Sequence, residues 1–596
     1  MKTLLQLKMK AGILTLILIG ICAQSWAASY TASSTGNWSS NATWSGGSAP
    51  SATNTSDQIT IQSGVTVTMD EDVTINGALA SLDVEGTLAG ETSTTFAVLT
   101  GTVSGAGSIS ASAVNLGTGA VLTFSGDITA NTFSSTILSL DALAHITVNS
   151  GLTLSAGMFS LGSSGKLSLG NGTTITMAGG QLSAGNGKLT LPSSYNVIYT
   201  AGYSSTGAEI TGSGLQNVTF NSGSGKSVQL NDNLTVNGTI NLQSGTLVLN
   251  GNTLTIKGDV AANGSGKISS NTASNINIST SNTNSGSLWF NSGANSVNNF
   301  TVNITDGGWA NLGSSMVVNG TLNLQKGTLW ISNDTLQIAA SGTITNSNSS
   351  NYVVTNSKGF LSMYVTAAAS TAMSYPIGSA SHFRPSNIWL NSGSNSGWVN
   401  LNVSDNVYSH GTAGTMLSST QSMVNSTWDV QSNITSNMNL KMQMMWSASD
   451  EVNAFDRTKA YISHYTNGMW DVSATASATV EGGGMYSISR TNIQSLSPFA
   501  VFDDKTAAID QVNNISSNTN FEIYPNPAME NIYIQKGSGS SKEMTAQIIN
   551  ANGQILGTYL ITDKTSPIDI SSLSKGLYFV KVYDNHTSTT AKFVKF

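Results

Sequence analysis

Cysteine is nearly absent from this chain: 596 residues hold one, Cys22. Charge is scarce, since 23 Lys and Arg with 30 Asp and Glu make up 9% of the residues, and proline occurs 8 times. One thiol cannot build a disulfide framework or a cysteine-based metal site, so stability has to come from burial and backbone pairing. A net charge of −7 leaves no basic footprint for nucleic acid or anionic lipid. So little charge is also the wrong composition for ordinary disorder. Helical periodicity is missing after the N-terminal apolar run.

What is present is glycine, 60 residues of it, set among Ser, Thr and Asn. The glycines follow no three-residue period, which excludes a collagen-like chain. Short apolar or Thr-rich runs alternate with Gly, Asn and Ser clusters, the strand-and-turn texture of an all-β protein.

An internal repeat organises the first half. Residues 216–256 align without a gap onto 298–338, an offset of 82, so that Leu234, Asn237, Gly238 and Leu242 fall on Met316, Asn319, Gly320 and Leu324. Weaker copies begin at Ile146 and Val73. Repetition on this scale signals stacked architecture. A coil of three short strands and three turns takes about 20 residues, so the repeat predicts about four coils per unit. Residues 28–345 are expected to form a right-handed parallel β-helix, a solenoid whose coils hydrogen-bond at about 4.8 Å. The Asn-Gly pairs suit turns with positive φ, and equivalent Asn side chains are expected to stack as a ladder. A string of β-sandwiches with Asn-Gly hairpins is the competing reading.

The two ends carry addresses. Lys2, Lys8 and Lys10 precede an apolar run from Ala11 to Ala23, and Ser25-Trp26-Ala27 follows. That order reads as a secretory signal peptide over 1–27 cleaved after Ala27, too short to anchor in a bilayer. Cleavage there leaves no cysteine and no transmembrane segment in the mature chain. At the other end, residues 521–596 contain Tyr524-Pro525-Asn526-Pro527, a turn at Asn552-Gly553, Gly576-Leu577-Tyr578 and a terminal Lys592-Phe593-Val594-Lys595-Phe596. These ordered landmarks resemble the type A C-terminal sorting domain of substrates of the bacterial type IX secretion system. The resemblance implies a small Ig-like β-sandwich, the secretion machinery as partner, and export through the periplasm to the outer surface or the medium. It also implies that the domain is cut off near the polar linker at 505–520 and that a lipopolysaccharide anchor can be joined there.

Between these ends the composition changes near Tyr352, where aromatics, Met and charge rise. Residues 346–504 resemble a β-sandwich module found between repeats and sorting domains. The pairs Trp428-Asp429 and Trp470-Asp471 place an aromatic beside a carboxylate, which suits a sugar's ring face and hydroxyls; a core tryptophan beside a surface Asp is the plainer alternative. The opening Trp38 and Trp44 resemble the start of β-helical surface proteins and are expected to plug the open end of the solenoid core.

No constellation for chemistry stands out. His145, His382, His410, His464 and His586 lack metal-ligand spacing. In Asp70-Glu71-Asp72 adjacent strand residues would point to opposite faces, so a solvated turn fits better than a paired acid and base. Asp334-Thr335-Leu336 resembles a bacterial O-glycosylation acceptor. The expectation is an exported, non-catalytic, adhesin-like or structural surface protein with no cofactor and no metal, binding glycans or other surface proteins. The alternative is a polysaccharide-active β-helix enzyme, a lyase or glycoside hydrolase.

Overall fold

The computed structural model describes residues 27–137, 139–185, 188–261, 263–305, 307–355, 358–505, 521–536, 543–583 and 588–596. The expected signal peptide up to Trp26, nearly all of the expected linker and His586 lie outside the described residues. Among those described, the chain is strand, turn and five short 3-10 turns. A β-solenoid of about 15 turns runs over residues 53–378. At about 4.8 Å per coil that is a rod on the order of 70 Å long.

From Leu215–Asn221 onward three strands make a coil, and each pairs in parallel with the strand three places later. Before it, longer strands such as Val73–Val84, Thr95–Ser104 and Ser108–Leu122 cover two sides and pair with the next strand or the one after. Leu215–Asn221 pairs with Ile240–Ser244, Leu234–Val236 with Thr253–Ile256, and Ser227–Gln229 with Thr246–Val248. Period-2 alternation then sorts the side chains. On one side Leu234, Leu254, Ile276, Phe300 and Leu322 stack coil upon coil, all fully buried. On another, Val73, Phe96, Val114, Phe133, Leu152, Ile175 and Val197 do the same. The first coil is closed by the expected tryptophan pair. Trp38 and Trp44 are 0% and 3% exposed, pack edge to face at 5.2 Å, and Trp44 Nε1 donates to the Trp38 carbonyl at 2.9 Å.

The 82-residue repeat is not a whole number of coils. Counting strands from Leu215–Asn221 to its counterpart Phe300–Ile304 gives eleven steps, three coils and two further sides. Equivalent segments therefore lie on different sides of the rod, although their local bonding is the same. Asn217 accepts from Thr239 N–H at 2.8 Å and donates to Asn196 Oδ1 at 2.8 Å. Asn299 accepts from Thr321 N–H at 3.0 Å and donates to Asn275 Oδ1 at 3.0 Å. These are rungs of the expected ladder.

The parallel ladder also continues past the expected end at 345. Val353 pairs with Leu329 and then with Ile377, and Phe360–Val365 pairs in parallel with Thr335–Ile338. The other edge of Phe360–Val365 pairs antiparallel with Gly397–Asp405, so one strand ends the solenoid and begins the sandwich. Thr355 and Asn402 tie this junction: Thr355 Oγ1 donates to the Val403 carbonyl at 3.0 Å and Asn402 Nδ2 to the Gly359 carbonyl at 2.7 Å. Behind it, Gly397–Asp405, Met423–Ser432, Pro498–Asp503 and Ala460–Thr466 continue one antiparallel sheet, and Met373–Tyr375, Ser386–Leu390, Leu440–Ser447 and Met485–Ile493 form the second. A single apolar core runs from Ala32 to Val501 through both parts.

Residues 521–596 have a core of their own. Three strands (Phe521–Tyr524, Asn531–Lys536, Thr565–Asp569) face four (Ile555–Ile561, Met544–Asn550, Gly576–Tyr583, Ser588–Lys595), all antiparallel.

Candidate functional site

The C-terminal landmarks, spread from Tyr524 to Phe596, converge at one end of their sandwich. Asn526 is the clamp: its Oδ1 accepts from Val594 N–H at 2.9 Å and its Nδ2 donates to the Lys592 carbonyl at 3.1 Å. Ala528 N–H donates to the Val594 carbonyl at 2.8 Å, and Phe596 N–H to the Ala528 carbonyl at 2.9 Å. The Tyr524-Pro525-Asn526-Pro527 opening is thereby stitched to the terminal strand. That strand pairs Lys595 with Gly576 and Phe593 with Tyr578, whose rings stack at 5.6 Å. Tyr578 also pairs with Asn550, which brings in the Asn552-Gly553 turn. There Gly553 has φ 82°, and Asn550 Oδ1 accepts from the N–H groups of Asn552 and Gln554 at 3.1 and 2.9 Å. Positive φ is why glycine stands at this position. Tyr524 stacks on Tyr533 at 5.7 Å with 40% of its surface exposed; Leu577 and Phe596 are exposed as well. Lys592 is exposed and Lys595 is buried to 9%.

A second surface runs along the solenoid. On the side formed by Leu234–Val236, Thr253–Ile256, Asn275–Thr280, Phe300–Ile304, Thr321–Lys326 and Thr343–Thr345, the outward residues in register are Thr235, Thr255, Asn277, Thr301, Asn323 and Thr345. Beside them runs Thr253, Asn275, Asn299, Thr321, which with Asn277, Thr301 and Asn323 lines a shallow depression of about 330 Å³. The rows repeat at about 4.8 Å along the rod and about 7 Å across a strand. Each position offers a hydroxyl or an amide and none a charge. On the neighbouring side, Trp309 and Trp330 sit half-buried on successive strands with ring centroids 5.8 Å apart, and Trp289 is 41% exposed. Sequence reasoning passed over this trio, because only the register sets Trp309 beside Thr328 and Asn311 beside Trp330.

The two Trp-Asp pairs do not form sugar platforms. Trp428 is fully buried in the sandwich core, where its ring has no free face. Burial pushes the Asp429 carboxyl above its ordinary value, with Gln431 hydrogen-bonding against that shift. Trp470 packs edge to face on Tyr465 and Phe502 and donates to the Tyr408 carbonyl at 2.8 Å. Asp471 is held by Arg490, at 2.7 and 2.6 Å, and by His464 N–H. Core packing took both rings, the plainer of the two alternatives.

The remaining candidates have structural partners. Asp70 accepts from the side chain and backbone of Ser39, and Asp72 accepts from Thr95 N–H at 2.7 Å, so the acidic run ties neighbouring coils. His145 lies 3.6 Å from Asp127 on the adjacent strand. His410 Nδ1 meets Ser409 Oγ at 2.9 Å. His464 stacks on Phe499 at 4.3 Å. Ser381, His382 and Asp450 come together in a Ser-His-Asp order, with 3.0 Å between Ser381 Oγ and His382 Nδ1. The His382–Asp450 separation is 3.8 Å, too long for a hydrogen bond, and Asp450 is engaged by Arg384 at 2.9 Å and Ser447 N–H at 2.9 Å. Thr335 opens a strand and its N–H donates to Ser315 Oγ at 3.0 Å. Among the described residues no three His, Cys, Asp or Glu side chains are grouped to hold a metal ion, and no helix is long and apolar enough to cross a membrane.

The molecule is a solenoid rod continued into a sandwich and followed by a separately cored, clamped terminal domain. The family described as secretion system C-terminal sorting domain matches residues 522–595. The protein is thus a type IX secretion substrate with a β-helix region ahead of its sorting domain. A search of curated proteins finds no match for the chain.

Proposed function

We propose that this protein is an adhesin-like, non-catalytic surface protein that displays the solenoid for contact with neutral glycans or other surface proteins. The observation that carries the reading is the uncharged row Thr235, Thr255, Asn277, Thr301, Asn323 and Thr345. A polysaccharide presents hydroxyls in a repeating line, and a repeating line of hydroxyl and amide groups offers each a donor and an acceptor. Trp309 and Trp330 add ring faces on the next side of the same coils. The secretion machinery reads the clamped C-terminal end, and the mature rod is held at the outer surface by a lipopolysaccharide anchor joined near the linker.

Two measurements test this. Residues 28–505, whose core is separate from that of the sorting domain, are applied to a glycan array beside a reducing-sugar assay on the same polysaccharides. Retention of neutral glycans that Thr301→Arg weakens at least tenfold supports the reading; turnover without retention replaces it with the polysaccharide-active enzyme. Removing Phe521–Phe596 from the full chain is expected to trap the protein in the periplasm, and normal surface levels after that deletion refute the export route.

A further inference from the structure

The side of the rod formed by Ser139–Ala142, Met158–Leu161 and Gln181–Ser183 stops there as a three-stranded sheet, and its successor begins at Ser227–Gln229. The coil between them replaces strands with an excursion over residues 200–214, which touches the next coil through a bridge from Tyr203 to Val228 and through Thr206 N–H to the Gln229 carbonyl at 2.9 Å. A cleft of about 210 Å³ opens at the interruption, lined by the apolar Met158, Met177 and Leu182 and by the hydroxyl-bearing Ser183, Ser205 and Thr206.

Glu209, on the short 3-10 turn Ala208–Ile210, reaches into this cleft and is 0% exposed. Its two oxygens differ. Oε1 accepts from the Tyr199 hydroxyl at 2.7 Å and from Gly207 N–H at 2.9 Å. Oε2 is buried with no hydrogen-bond partner. The aromatic cluster is built round this acid: Tyr199 stacks on Phe220 at 5.4 Å, and Tyr203, edge to face with Tyr199 at 5.4 Å, donates to the Gly180 carbonyl at 2.9 Å. Lys188 does not pair with Glu209; its ammonium donates to the Leu161 and Gly162 carbonyls. A buried acidic oxygen without a partner is costly, and a cation offsets both the missing hydrogen bond and the charge.

We propose that the cleft binds a small organic ammonium ion, with its N–H groups on Glu209 Oε2 and its body against Met158, Met177 and Leu182. An anion would meet the acid as a like charge. A divalent cation needs six or more oxygen ligands for calcium, or a near-ideal octahedron for magnesium. This cleft supplies one carboxyl group, with only neutral hydroxyls and the Gln181 amide besides, next to thioethers and an aliphatic side chain. A neutral alcohol satisfies the hydrogen bond and leaves the charge unpaired. The volume holds roughly seven waters, which corresponds to a compact ring bearing an amine. This inference is independent of the glycan-display reading, since it uses a different side of the rod.

The test uses the full mature chain at pH 7 and saturation-transfer NMR. Cyclohexylammonium is expected to bind in the millimolar range and cyclohexanol at least tenfold more weakly. Glu209→Gln is expected to erase that difference. Ser205→Trp blocks the cleft, leaves Glu209 in place, and should abolish binding of the amine, so it decides the matter if Glu209→Gln fails to fold by circular dichroism. Equal affinity for the two probes, no binding of the amine at 50-fold the expected range (on the order of 50 mM, given the weak affinities of such small ligands), unchanged binding in Ser205→Trp, or a response to calcium alone each overturns the proposal.

Discussion

In the solenoid a side chain's partners lie one coil away, as in Ser134 to Asn115, 19 residues apart, and Asn299 to Asn275, 24 apart. In the sandwich grown onto its end they lie much further: 48 residues from Thr355 to Val403, 66 from Arg384 to Asp450, and 81 from Ser422 to Asp503. The two parts share one core and one strand, yet differ in how order is specified. The solenoid repeats a local rule, so hydroxyls and amides on neighbouring coils suffice to set the stack. The sandwich has no next coil to copy, and its register is pinned by charged side chains that fit in one place only. Arg384 is 2% exposed between Asp405 and Asp450, at 2.5 and 2.9 Å. Arg457 grips Glu451 at 2.7 and 2.8 Å and lies over the Tyr486 ring at 3.7 Å.

Breaking that contrast starts with Arg384. Arg384→Met leaves Asp450 buried without its cation, and the sandwich is expected to lose about 3–5 kcal/mol, read as a lower urea midpoint of tryptophan fluorescence. The loss should be cooperative, because Arg384 ties the end of Gly397–Asp405, in one sheet, to the 3-10 turn Ala448–Asp450 that follows Leu440–Ser447 of the other. Leu324→Ala, deep in the solenoid, is expected to cost about 2–5 kcal/mol. Here hydrogen exchange should rise in the flanking coils and stay unchanged in distant ones; uniform loss of protection would show that the rod does not obey a nearest-neighbour rule.

Smaller effects sharpen the same comparison. Asn217→Ala and Asn299→Ala should each cost about 1 kcal/mol and agree closely, since their hydrogen bonds match although they lie on different sides. A several-fold disparity in thermal melts would mean that side, not repeat, sets the ladder's strength. The smallest effect is a pH dependence confined to the sandwich. Burial lowers the His464 pKa below 6.5, with Asp471 opposing and Arg490 adding to the shift. The folded state then binds fewer protons than the unfolded one, so this contribution is complete above pH 6.5 and declines as pH falls below it toward the folded value. The urea midpoint of the sandwich should drop between pH 7.5 and 5.5, and His464→Phe, which keeps a ring on Phe499, should flatten the slope.

The terminal landmarks were legible because each is a local requirement. Gly553 supplies a positive φ, and the Asn526 side chain caps backbone at a fixed place. Their convergence at one end of the domain was not legible, since it needs the pairing of Gly576–Tyr583 with Ser588–Lys595. The Trp-Asp pairs misled for the same reason: a dipeptide does not reveal which way a strand faces, and register turned both rings inward. The Glu209 cleft had no sequence signal, because a missing strand looks like any other Gly- and Ser-rich loop.

Strand content, the stacked architecture, the tryptophan plug and the asparagine rungs were set by the order of residues alone, because alternation and turn chemistry act within a few positions of the chain. How many sides an 82-residue unit turns through, where the parallel ladder hands over to antiparallel pairing, and which tryptophans reach solvent were decided by the folded rod. Those outcomes depend on the path around each corner, and one residue more or less in a turn moves everything after it to another face.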